Sequence, residues 1–254
     1  MLNFTFMGGI PVRSALIYAK IHIKPLDSCR TPADECDKSH KIRRDSPLPN
    51  PINYKKDFKH LYLPKPTPEI VDVPSMPFFM VSGSGDPNGE EFVKATEALY
   101  SLSYAVKMSY RSSDVPDGYY EYTVFPLEGV WDLLDYTKPA TDKSNLKYTI
   151  MIRQPDFVTR AGFERFLEAT MKKKANPFLG KIRFEQAADG LSCQMLHAGS
   201  FDEEPASFSR MEEFCAEQGV TRTSKLHREI YLSDPRKTKA AKLKTVLRFS
   251  VQGS

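Results

Sequence analysis

EIVDVPSMPFFMVSGSGDP at residues 69–87 runs straight into NGEEFVKATEALYSLSYAVKM at 88–108, which reads as strand, glycine-containing turn and helix. The same reading returns at 182–218, as IRFEQAADGLSCQMLHAGSFDE and then EPASFSRMEEFCAEQ. Two strand-like runs follow each unit: YYEYTVFPLEGVW (119–131) and LKYTIMIRQP (146–155) after the first, LHREIYLSDP (226–235) and LKTVLRFSV (243–251) after the second. A duplicated β-α-β-β unit implies an α+β fold with pseudo-twofold symmetry, antiparallel sheets with helices on one face, and a ligand pocket at the seam between halves.

Outward from this core the chain divides in three. Residues 1–52 are polar and punctuated, as in RTPADECDKSHKIRRDSPLPNP, and are expected to be a flexible or disordered tail, with an organelle presequence as the alternative. Residues 53–254 form one domain, with repeat one over about 69–155 and repeat two over about 182–251. Between the repeats a linking helix is expected over about 159–174, stopping before Asn176-Pro177. NYKKDFKHLYLPKPTP (53–68) reads as a short helix or strap leading into the first strand. The first long helix is expected to be capped by Asn88, with Glu91 completing a capping box. The third starts near Pro205, buries Phe208, Met211 and Cys215, and ends at Gly219.

Charge excludes one broad class of function. Residues 1–60 carry 11 Lys/Arg against 6 Asp/Glu, whereas 61–254 carry 25 against 26. A neutral folded part argues against direct nucleic-acid binding. No apolar run approaches the ~20 residues of a membrane span. Cys193 and Cys215 fall in a strand-like and a helical run and read as buried thiols, while Cys29 and Cys36 lack zinc-site spacing. A reducing, cytoplasmic setting follows, and no metal or cofactor is expected. Ser82-Gly83-Ser84-Gly85 lacks the Walker lysine, so it reads as a turn rather than a phosphate loop. Lys172-Lys173-Lys174 suits the C-terminal end of the linking helix and reads as a solvated end. His197 reads as a structural histidine.

The residues left to carry chemistry lie in two strands. In 119–125, Tyr119, Glu121, Thr123 and Phe125 share one face; in 227–232, His227, Glu229 and Tyr231 share one face. Each repeat thus places a glutamate in mid-strand between aromatics, where a carboxylate is costly to bury unpaired. Either residue alone reads equally well as a partner for a lysine or arginine on a half-solvated sheet. Their repetition points to an acidic, aromatic-lined pocket, with Trp131 and Tyr148 within reach of it, although a lone tryptophan is commonly core.

MLHAGSFDEEP (195–205), HREIYLSDP (227–235) and the duplicated plan resemble the GyrI-like small-molecule-binding domains over roughly residues 58–251. In that family the glutamate of the HxEIY-type strand projects into the central ligand pocket, which maps onto Glu229. Phe201 stands where many members have tyrosine. EFVKATEALYSLSYAVKM (91–108), GYYEYTVFPLEGVWDL (118–133), YTIMIRQPDFVT (148–159) and HREIYLSDPRK (227–237) further resemble a standalone branch that includes the cyclopropanoid cyclopropyl hydrolases. Those enzymes open the cyclopropane of planar DNA-alkylating natural products by adding water. The resemblance implies a planar aromatic or cationic ligand and casts Glu229 as the water-activating base. Reading strand faces onto that chemistry makes Glu121 the pseudo-symmetric partner, Tyr148 and Tyr231 hydrogen-bond donors, and Trp131 and Tyr119 flat walls, with His227 beside them. A non-catalytic drug binder and a regulatory interaction module are the competing readings, and the oligomeric state is left open.

Overall fold

The structure is a computed structural model that describes residues 51–112, 115–139, 142–234 and 237–253. The expected tail over 1–52 therefore lies outside the described residues except at its end, where Ile52 bridges Tyr122 in parallel. Two short helices follow, α1 (Tyr54–Asp57) and α2 (Lys59–Tyr62). Repeat one contains β1 (Glu69–Val73), β2 (Met76–Ser84), α3 (Glu90–Lys107), β3 (Leu127–Leu133) and β4 (Leu146–Arg153). The linking helix α4 spans Arg160–Met171. Repeat two contains β5 (Arg183–Ala187), β6 (Gly190–Ala198), α5 (Glu204–Glu217), a short β7 (Val220–Arg222), β8 (His227–Tyr231) and β9 (Lys244–Gly253).

All strands join one antiparallel sheet in the order β1-β6-β9-β8-β3-β4-β2-β5, with β7 on β9. The repeats meet at β3 and β8, where Gly129 pairs with Glu229, Val130 with Arg228 and Trp131 with His227. Rotation about the Gly129–Glu229 pair exchanges the two strands, so Glu128 corresponds to Arg228 and Trp131 to Tyr231. The leading strands are exchanged: β1 of repeat one lies on β6, and β5 of repeat two lies on β2. Each repeat is therefore completed by a strand of the other.

Several local expectations hold and two do not. The Thr159 side chain caps α4 by accepting from the amide of Gly162, Pro205 sits in the first turn of α5, and Gly219 ends that helix region at φ +67°. Asn88 does not cap α3. Its side chain turns back to donate to Asp86 Oδ1 at 2.8 Å, and Gly89 holds the cap position without a side-chain bond. The larger correction concerns the run at 119–131. Residues 119–126 form no strand beyond the Tyr122 bridge; the strand begins at Leu127, immediately after Pro126. Proline has no amide hydrogen to give a central ladder, so the strand starts only beyond it.

The two faces of the sheet are unlike. One carries Gly129, Trp131, Tyr148, His227, Glu229 and Tyr231 and is covered by α3 and α5, with Phe92 stacked 6.0 Å from Trp131 and Phe208 edge-on to His227 at 5.0 Å. The other carries a buried ionic cluster beneath α1 and α2. Arg228 pairs with Glu128 (2.8 Å) and Asp189 (2.7 Å), while Arg248 reaches Asp189 (3.3 Å), Gln194 and the Leu61 carbonyl. Tyr62 Oη donates to Glu128 Oε1 at 3.1 Å, tying the strap to the seam. Every charge in this cluster has a partner, which is the condition under which such groups stay buried.

Candidate functional site

Strand register builds the site row by row. Across β2, β4, β3 and β8 run Gly83, Tyr148, Trp131 and His227, each opposite the next. The neighbouring row across β2, β4, β3, β8 and β9 runs Val81, Ile150, Gly129, Glu229 and Leu247. Glu229 is thus a fully buried carboxyl set in an otherwise apolar row, directly on the axis between repeats. Its Oε1 accepts from His227 Nε2 at 3.2 Å, and its Oε2 has no partner.

The aromatic wall is locked over the same point. Trp131 Nε1 donates to Tyr231 Oη at 2.8 Å. A Cβ on Gly129 would stand 2.7 Å from that indole nitrogen and 3.1 Å from the phenol oxygen, so the absent side chain is what lets the two rings meet. Tyr148 lies across Gly83 in the same way, 2.6 Å from where a Cβ would be, and its ring is 5.6 Å from Trp131 and 4.9 Å from Phe92. Phe201 closes the other side of Tyr231 at 6.2 Å. Burial pushes the Tyr148 phenol up to about 12; burial, with Glu229 and Glu204 beside it, pushes Tyr231 well above the usual tyrosine range. Both phenols therefore keep their protons at neutral pH.

Glu204, the first residue of α5, completes the site and was not among the expected site residues. Its side chain is fully buried, and neither carboxyl oxygen has a partner. Burial raises its pKa well above the usual carboxylate range, and the charges of Glu229 and Asp202 add to the effect. A signal for it does exist in the sequence. Glu204, Phe208, Met211 and Cys215 recur at helical spacing, so Glu204 lies on the buried stripe of α5 and not on its solvated side. Glu203 is the residue consumed by the cap, accepting from the Ser200 amide at 2.8 Å.

The structure thus brings together Glu229, His227, Tyr231, Trp131 and Tyr148. It does not bring Glu121 or Tyr119. Glu121 is exposed, and its backbone carbonyl accepts from the Ile52 amide. Tyr119 donates to the Lys107 carbonyl at 2.7 Å and packs on Phe157. Lys107 lies at the far end of α3 from Phe92, about 22 Å along the helix axis. The glutamate within β3 is Glu128, which points to the opposite face and pairs with Arg228. His197 is structural as expected, held by Ser207 Oγ and the Ser200 carbonyl at 2.9 Å each. Among the described residues no cluster of His, Cys, Asp and Glu could hold a metal ion, and no helix is long and apolar enough to cross a membrane.

Two buried carboxyl groups, one on β8 and one at the start of α5, thus bring three unpartnered oxygens to the neighbourhood of Tyr231. The model of the GyrI-like small molecule binding domain matches residues 66–252. Among solved structures, an uncharacterized conserved protein from Listeria innocua is 39% identical, with a TM-score of 0.75 over 79% of this chain and 100% of its own. A hydrolase from Listeria innocua is 38% identical, with a TM-score of 0.73 over 79% of this chain and 100% of its own. No curated protein matches the chain.

Proposed function

Because this chain belongs to the GyrI-like small-molecule-binding family, we propose that it is a hydrolase that adds water to a planar, electrophilic aromatic substrate held between α3 and α5. The observation that carries this reading is the buried pair Glu229 and Glu204, with a carboxyl oxygen of the first free to take a proton. The 38% identity to a Listeria protein named a hydrolase supports it.

The substrate class that best fits the resemblance is a cyclopropane conjugated to a dienone. Water oxygen bonds to the strained ring carbon as the ring C–C bond breaks, and the released electron pair passes to the dienone oxygen. Glu229 Oε2 takes the water proton, while His227 holds Oε1 and so fixes the direction of the free oxygen. Glu204, whose proton is held by burial, is the acid of the pair and Glu229 the base. Tyr231 and Tyr148 remain protonated and are the donors available to the developing phenolate; Tyr231 is further polarised by accepting from Trp131. Trp131 and Phe92 supply flat surfaces for an aromatic ring system.

Incubation with a cyclopropane-containing duocarmycin-type compound, followed by mass spectrometry, tests the proposal. The expected result is gain of one water, lost in Glu229→Gln. A second reading is favoured by the same carboxyl pair: aromatic walls around buried negative charge also suit sequestration of a planar cation. Recovery of the compound bound but unchanged would select it. A compound neither bound nor changed would remove both readings for this ligand class.

A further inference from the structure

Helices α3 and α4 enclose a groove of about 450 Å³ at the C-terminal end of α3, away from the β3/β8 seam. That volume is within the range of small-molecule sites, about 300–1,000 Å³. Its lining is mainly apolar: Ala105 and Met108 come from α3 and the turn after it, Phe166 and Ala169 from α4. Small residues at 105 and 169 leave the space open. Two lysines stand at the rim, Lys173 and Lys174, and among the described residues no acidic side chain lines the groove. Lys172, the neighbour in sequence, is engaged by Glu168 at 2.6 Å and does not line it.

Apolar walls and a cationic rim are complementary to a hydrocarbon body ending in an anionic oxygen group.

We propose that the α3–α4 groove is a second binding site, for an amphipathic organic monoanion of the fatty-acid class. The hydrocarbon lies against Met108 and Phe166, and the head group meets Lys173 and Lys174. The sequence gives Lys172-Lys173-Lys174 a bland reading as a solvated helix end; the groove gives two of the three a ligand.

Dodecanoate titrated into the full chain by calorimetry at pH 8, with dodecanol as the uncharged control, tests the site. Binding of dodecanoate in preference to dodecanol is expected. Lys173→Glu with Lys174→Glu, both at exposed positions, should weaken dodecanoate about tenfold or more and leave dodecanol unchanged. Ala169→Phe, also at an exposed position, should abolish binding of both by filling the groove. Glu229→Gln should alter neither, since it lies at the seam. Absence of dodecanoate binding, indifference to the lysine reversal, or sensitivity to Glu229→Gln in place of Ala169→Phe would overturn the proposal. None of these outcomes bears on hydrolysis at the seam, so the two proposals fail separately.

Discussion

Trp131 and Tyr231 occupy the same position in the two repeats, 100 residues apart, and bond to one another across the axis that relates them. The indole N–H goes to the phenol oxygen, leaving the phenol's own proton for another acceptor. A symmetric chain would place two identical residues here and could not divide donor and acceptor so cleanly. Tyr231→Phe leaves the buried Trp131 N–H without its partner, a loss of about 1–3 kcal/mol in denaturant unfolding. If Tyr231 also donates to the developing oxyanion, turnover should fall by on the order of a hundredfold. Loss of stability with unchanged turnover would confine the residue to a structural part.

Gly129→Ala forces a methyl group against the indole nitrogen and the phenol oxygen. Overpacking of this kind costs about 1–3 kcal/mol. Trp131 is the one tryptophan in the chain, so its emission reports the displacement directly. Unaltered emission and stability would mean that the rings separate without cost.

Glu204 gives a pH dependence with a definite sign. Its folded-state pKa is raised, so above the ordinary glutamate value of 4.5 the folded chain holds a proton that the unfolded chain has lost. The stability tied to this group therefore falls as pH rises from there, by about 1.4 kcal/mol per pH unit until the buried carboxyl ionises. Glu204→Gln should match the parent at acid pH and become steadily more stable above about pH 5. A difference that stays constant between acid and neutral pH would show an ordinary carboxyl at this position.

The ionic cluster on the far face titrates in the opposite sense. Burial raises the Asp189 pKa, but Arg228 and Arg248 outweigh it and the net shift is downward. Its contribution is present above the unfolded-state value of about 3.8 and disappears as pH falls through the lower folded-state value. Arg228→Met, which leaves Glu128 buried without its cation, should cost about 3–5 kcal/mol at pH 7 and less in acid. Equal losses at both pH values would place the effect in packing alone.

The sequence carried the duplicated plan and the inward face of the strand at 227–231 because each rests on simple periodicity. Alternation set Glu229 on one face with His227 and Tyr231, but a glutamate there reads equally well as a partner for a lysine or arginine, and it was the resemblance of HREIYLSDP that singled it out. The counterpart in repeat one was misread because YYEYTVFPLEGVW is β-prone along its whole length, and only the ladder shows that pairing begins after Pro126. Tyr119, Tyr120 and Tyr122 gather around Phe157 instead, in contacts with no local sequence signature. The true counterpart of Glu229 is Gly129, so the assumption of two symmetric strand glutamates could not have found it. The second carboxyl came from the start of a helix, where an acidic residue is ordinarily explained by the dipole.

The exchange of β1 and β5 has a consequence for synthesis of the chain. While the first repeat emerges from the ribosome, the outer edge of β2 is bare, because β5 is translated roughly a hundred residues later. That edge presents the apolar run Phe78–Val81 beside unpaired amides and carbonyls, a template for pairing with any neighbouring nascent chain. Safe production of the protein is therefore set by the interval between the first repeat and the strand that seals it.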